Sequence, residues 1–265
     1  MIHFFNCGYI FTLILFSYAI SNAQQIETPI VKITYASSPI SQYNMSKDDM
    51  MESSSKASVY SLMQGITDYY SLYINLEDRS SLYVLDSTEQ KKVRGWEISS
   101  TTASPVDTVL FSIKTPKEKT FKHEWIMNQT FFTEGKVGDL KWELTDEEKN
   151  ISGLKCYRAI SKNYPMLSVW YTKEIPVSNG PGIYQGLPGL IVSVEDFFRT
   201  IQLIEVEYIK SVETFKKLYN IKKAFFSEKK ENGKNFSEEP ILILKKGDLA
   251  RSLYEYTHGK SYRKN

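Results

Sequence analysis

Cysteine is almost missing from this chain: 265 residues hold two, Cys7 and Cys156. Cys7 lies ahead of the apolar run in a removable leader, so Cys156 is left alone after export. A single cysteine closes no internal disulfide, and the fold must rest on packing and hydrogen bonds even in an oxidising compartment. Histidine is equally scarce, at three residues, and His123-Glu124 lacks the second histidine of a zinc helix motif. No Walker or Rossmann glycine loop occurs, and no cofactor or metal is expected. Charge of one sign is lacking too: 33 basic against 31 acidic residues leave +2, which argues against a nucleic-acid binder with its basic face. No helix-length apolar pattern separates the strand-like runs, which argues against βαβ units and a parallel sheet. There is no internal repeat, and no composition break divides the chain.

One long apolar run exists. Tyr9 to Ile20 is followed by Ser21-Asn22-Ala23, a small-x-small site, so residues 1–23 read as a secretory signal peptide cleaved after Ala23. The run falls short of the roughly 20 apolar residues that span a bilayer. Its start carries no Lys or Arg, and this leaves an uncleaved anchor as the alternative. The exported chain, residues 24–265, is expected to be periplasmic or otherwise secreted, with no membrane span and with the full +2 charge.

Aromatic residues are abundant, at 14% with 18 Tyr and 14 Phe, and they suit half-buried strands. Strands are predicted at Ile30 to Tyr35, Tyr70 to Leu76, Ser80 to Leu85, Val106 to Ile113, Phe121 to Met127, Gln129 to Thr133 and Leu140 to Leu144. Further strands follow at Gly153 to Ser161, Leu167 to Tyr171, Leu190 to Glu195 and Thr200 to Tyr208. Glu77-Asp78-Arg79 turns a hairpin, and Thr145 to Asn150 is read as a charged connector. Ser46 to Ser61 reads as helix or loop, Lys222 to Glu239 as a solvated loop, and Ile241 to Leu244 as a short strand or tether. Asp248, Leu249, Leu253, Tyr256 and Gly259 have the spacing of a short C-terminal helix. Turn signals about every 10 residues predict one mainly β domain: an antiparallel meander, a curled sheet or a partly open barrel.

One segment is dense in glycine and proline. Trp170-Tyr171-Thr172-Lys173-Glu174-Ile175-Pro176 leads to Gly180-Pro181-Gly182-Ile183-Tyr184 and then to Gly186-Leu187-Pro188-Gly189-Leu190-Ile191. The last six residues, with Lys141 to Leu144 and Gly153 to Ala159 upstream, resemble the GLPGLI family of exported bacterial envelope proteins over about residues 105–210. The resemblance implies an envelope address and an accessory role beside outer-membrane nutrient receptors, and it implies no reaction. Family members tend to carry an aromatic–basic pair after Gly-Pro, where this chain has Gly182-Ile183-Tyr184, so a partner recognised there would differ.

Pro188-Gly189 matches the central pair of a type II turn, with a positive φ at the glycine. Leu187, Leu190 and Ile191 would anchor this turn in the core. The first reading is a rigid buried turn; the second is a binding lip with Trp170, Tyr171, Tyr184 and Glu195 as contacts. The expected partner is an outer-membrane or periplasmic protein, or a hydrophobic or peptide-like ligand.

Catalysis finds little support. Cys156 has only His123 and His258 as candidate bases, and it lies in a strand-like run where free cysteine acts as a small apolar residue. Met45, Met50 and Met51 beside acids read as gap-fillers before they read as a soft-metal patch. Of the acidic pairs, Glu195-Asp196 stands out because it follows the glycine-rich segment directly. The leading function is a non-catalytic envelope protein. A hydrolase using Cys156 and His123, and a purely structural interaction module, are the alternatives.

Overall fold

The computed structural model describes residues 30–39, 66–90, 108–126, 129–164, 167–196, 199–233 and 236–237. Its strands are β1 (Ile30–Pro39), β2 (Ile66–Asn75), β3 (Ser81–Gln90), β4 (Thr108–Lys114), β5 (Lys119–Ile126) and β6 (Gln129–Lys136). They continue with β7 (Trp142–Ile151), β8 (Leu154–Ser161), β9 (Ser168–Thr172), β10 (Leu190–Glu195), β11 (Arg199–Ile209) and β12 (Phe236–Ser237), with the helix α1 (Val212–Glu231) between β11 and β12. All form one unclosed sheet in the order β12-β6-β5-β4-β3-β2-β1-β11-β10-β9-β8-β7. Every pairing is antiparallel apart from β12, which runs parallel to β6. The expected mainly β, antiparallel fold is the observed one.

Alternation along the strands sorts their side chains onto two faces. In β5, Phe121 and His123 lie on one side, and Thr120, Lys122 and Glu124 on the other. Cross-strand partners carry each row onward: His123 opposes Phe111 and Phe132, while Lys122 opposes Ser112 and Thr133. The aromatic row meets α1, whose Phe215, Tyr219 and Phe226 are buried against Phe111, Ile113 and Phe132. The opposite face holds the larger core, built on Val31, Ile33, Tyr35, Tyr70, Leu72 and Ile74 and extended by Val169, Leu187, Leu190, Ile191 and Val194.

Two sequence expectations need correction. Thr145 to Asn150 is not a connector but part of β7. The terminal position of this strand explains its charges, because most of its side chains reach water and two pair across to β8 (Glu147 with Arg158 at 2.7 Å, Glu148 with Lys155 at 2.8 Å). Charged side chains on an edge strand also oppose pairing with foreign strands. The turn to β8 uses two successive left-handed residues, Ser152 (φ 52°) and Gly153 (φ 84°), which match the strand twist. Second, residues 222–231 are helical and not a solvated loop. The Lys and Glu residues that suggested a loop form the wet face of α1, and the Ser211 side chain accepts from the Thr214 N–H at the helix start. The signal peptide, the Ser46 to Ser61 and Ile241 to Leu244 segments, Met45, Met50 and Met51, and the helix expected near Asp248 lie outside the described residues.

Candidate functional site

The glycine- and proline-rich segment is the one long non-helical excursion from the sheet among the described residues. Residues 173–189 leave β9 and re-enter at β10, crossing the face opposite α1 as far as β4 and β5. Side chains of the sheet hold this loop by its carbonyls. Ser112 Oγ donates to the Gly182 carbonyl (2.8 Å), Lys114 Nζ to Ser178 (3.2 Å) and Trp142 Nε1 to Gln185 (2.9 Å). At the re-entry, Tyr35 donates to the Ile191 carbonyl (2.6 Å). Carbonyls left without such donors in a buried loop would carry a desolvation cost, so these contacts fix the path.

Leu187, Leu190 and Ile191 are buried, as the sequence implied. The turn itself differs from expectation. Positive φ falls at Gly182 (59°) and Gly186 (95°), and Gly189 is not left-handed, so Pro188-Gly189 is not the centre of a type II turn. Gly189 is required for another reason: a Cβ there would drive into the Thr172 carbonyl. Gly180 is confined likewise, with the Tyr184 carbonyl 2.5 Å and the Ile191 Cβ 2.8 Å from where its Cβ would stand. Close backbone approach explains these two glycines.

Beneath the loop runs a chain of buried polar groups. Tyr184 donates to Asp196 Oδ2 (2.8 Å), and the Arg199 N–H donates to Asp196 Oδ1 (2.8 Å). The Arg199 guanidinium lies 3.8 Å from the same carboxylate. Burial opposes the Arg199 charge, but Asp196 and the surrounding Tyr70, Tyr184 and Tyr83 hydroxyls outweigh it and raise its pKa. Burial, then the neighbouring Asp196, keeps Tyr184 protonated far above the usual phenol range. Tyr70 stacks on Tyr83 with ring centroids 4.6 Å apart, and its pKa is raised by burial against a partial offset from Arg199. Further along, Lys122 and Glu124 face each other at 3.9 Å with side chains 3% and 0% exposed. Desolvation lowers the nearby Lys114 to about 8. Fixed donors and acceptors of this kind orient a loop; a nucleophile with an activating base is not among them.

The proposed contact residues do not converge on one surface. Trp170 and Tyr171 are consecutive in β9 and face opposite sides; both are buried, with the Lys149 ammonium 4.0 Å above the Trp170 ring and Tyr157 5.8 Å from Tyr171. Tyr184 is enclosed under the loop, and Glu195 is exposed at the end of β10. Its neighbour Asp196 is the member of that acidic pair that enters the core. Cys156 and His123 are not brought together either: seven strands, β4, β3, β2, β1, β11, β10 and β9, lie between β5 and β8. The Cys156 thiol is buried, its pKa is raised by desolvation, and it donates to the Leu154 carbonyl (3.3 Å). Burial, then Lys222 and Lys229, lowers His123 to about 4, and its ring stacks on Phe132 at 4.5 Å. Among the described residues no group of three or more His, Cys, Asp or Glu side chains could hold a metal ion, and no helix is long and apolar enough to cross a membrane.

Sequence reasoning passed over Arg199, Lys114 and Lys122, and weighed Glu124 only beside His123 as a metal motif. The alternation Thr120-Phe121-Lys122-His123-Glu124 was the available signal, because it places two charges on the face opposite the aromatic row.

These features define a β-sheet protein whose glycine-rich loop is seated in its own interior. A family model described as a protein of unknown function (Porph_ging) matches residues 162–193, which span β9, the loop and most of β10. No curated protein matches the chain. Among solved structures, PNGF-II in its C2 crystal form is 17% identical with a TM-score of 0.43, over 82% of this chain and 32% of that one. Its P21 form gives 14% identity and a TM-score of 0.41 over the same shares, so the chain spans about a third of PNGF-II. An uncharacterized conserved protein from Thermus thermophilus is 8% identical with a TM-score of 0.33, over 76% of this chain and 93% of that one.

Proposed function

We propose that the protein is an exported accessory of the bacterial cell envelope that works by docking to another envelope protein, and not by catalysis or by enclosing a small ligand. One observation carries the reading. The face of the sheet that would form a ligand chamber is occupied by the chain's own 173–189 loop, and two cavities beside that loop, among the described residues, measure about 10 Å³ each. Small-molecule sites are typically some 300–1,000 Å³. The raised thiol pKa of Cys156 and its separation from His123 support the non-catalytic half of the reading. The envelope address rests on the Gly186 to Ile191 resemblance and on the apolar leader with its Ser21-Asn22-Ala23 site.

Native mass spectrometry of the protein taken from its own envelope tests the proposal. A second polypeptide travelling with it is the expected result. A stoichiometric small-molecule adduct that survives desalting would overturn docking as the principal role. The intact mass of the same chain should correspond to a start at Gln24, and a start at Met1 would remove the cleaved leader.

A further inference from the structure

We infer that one ordered water molecule, held between the Gln185 side chain and the Lys122 ammonium, is a fixed part of the seat on which the loop rests. The Gln185 carbonyl is tied to Trp142, and this delivers its side chain into the interior, where the residue is 8% exposed. Its Oε1 atom has no hydrogen-bonding partner among the described residues. Leaving such an acceptor unsatisfied carries its full desolvation penalty, enough for a folded chain to find it a donor. Gln185 opens on a cavity of about 10 Å³ bordered by Thr120, Lys122, Lys136, Gly138, Asp139, Leu140 and Ile183. That is roughly the space one water needs, and a buried water requires two to four polar partners.

The chemistry of the lining selects water over other small occupants. A chloride ion accepts only; the Lys122 ammonium would attract it and the Gln185 oxygen would repel it. A bare cation would meet two ammonium groups, Lys122 and Lys136, against the single Asp139 carboxylate. Water alone donates to Gln185 Oε1 while accepting from Lys122 Nζ or the Thr120 hydroxyl. Bridging waters bind nearly as well as direct hydrogen bonds.

A high-resolution crystal structure of the whole exported chain, with a parallel bromide soak, decides the matter. The expected result is a water peak at hydrogen-bonding distance from Gln185 Oε1 in the native protein, with no anomalous bromide signal there. Absence of a peak between Lys122 and Gln185 would overturn the inference, and so would an anomalous peak, which would make the site an anion site. In solution, a long-lived water should give cross-relaxation to the Gln185 side-chain amide protons and to the Ile183 side-chain protons, the latter lost in Gln185→Met. Cross-relaxation that persists in the methionine variant at the neighbouring Ile183 protons would also overturn it, because the water would not depend on the glutamine.

Discussion

The two faces of β4, β5 and β6 are built from alternate residues of the same strands, yet they are covered by opposite means. On one face Phe111, Phe121, His123 and Phe132 meet α1 through ring contacts such as Phe121 to Phe226 at 4.9 Å. On the other, Ser112, Lys114, Thr120, Lys122, Glu124 and Thr133 are all buried, and the 173–189 loop, gripped by its carbonyls, lies over Ser112, Lys114, Thr120 and Lys122. An apolar face accepts any cover of suitable shape, since burial is non-directional. A polar face accepts only a cover whose donors and acceptors match, because each mismatch leaves a buried group unpaired. The helix therefore supplies bulk burial, and the loop is the part with one permitted conformation. A segment specified this tightly is where a family signature is expected, and the matched stretch 162–193 contains it.

Breaking the loop cover should cost most. Gly189→Val places a branched Cβ against the Thr172 carbonyl, a backbone atom that cannot swing aside, and the expected loss is about 4 kcal/mol. Gly233→Val is the control: it has a positive φ (65°) with no atom near its would-be Cβ, and should lose only on the order of 1 kcal/mol. Equal denaturant midpoints for the two variants would remove the close-approach explanation. On the helix face, Phe226→Ala deletes a buried ring between Phe121 and Phe132 and should cost about 3 kcal/mol. A loss below about 1 kcal/mol in urea unfolding would mean that α1 adds little to the fold.

The strands were legible because alternation is local: β1, β10 and β11 fall close to where their sequences place them. What escaped were features decided by position in the sheet. Residues 145–150 look like a connector until β7 is known to be terminal, where a charged strand is stable. The 222–231 stretch looks solvated because α1 buries only Phe215, Tyr219 and Phe226, a narrow stripe in a Lys- and Glu-rich segment. Pro188-Gly189 misled for the same reason. Local turn chemistry called for a positive φ, while the requirement on Gly189 comes from Thr172, on a strand the turn rules do not see. Lys122 and Glu124 could be placed on a common face from sequence, but that a loop from β9 would cover them could not.

Acid should separate the two faces. His123, on the helix face, is lowered to about 4 by burial and then by Lys222 and Lys229, whereas an unfolded histidine titrates near 6.5. Between these values the unfolded chain binds the additional proton, so stability is full above about pH 6.5 and falls as the pH drops toward 4. His123→Phe keeps a flat ring beside Phe132 and removes the titration. It should change little at pH 7 and exceed the parent by about 2 kcal/mol at pH 4.5. Parallel acid limbs for parent and variant would show that the imidazole is not in this environment.

The smallest effect is expected on the loop face, at alkaline pH. Desolvation lowers Lys114 to about 8 against an ordinary 10.5, with a partial offset from Glu118 and a further lowering from Arg79. Below about pH 8 the folded protein carries a buried charge that disfavours folding. From pH 8 to 10.5 it sheds that proton ahead of the unfolded chain, and stability rises with pH. Lys114→Met removes the charge and also the hydrogen bond to the Ser178 carbonyl, so the two changes oppose each other. Near pH 7 the variant should gain about 1 kcal/mol, the desolvation relieved exceeding the bond lost. The gain should shrink and reverse as the pH passes 8 and approaches 10, where the parent keeps the bond from a neutral amine. A difference that stays constant across that range would mean that Lys114 reaches water and that the loop does not seal the polar face.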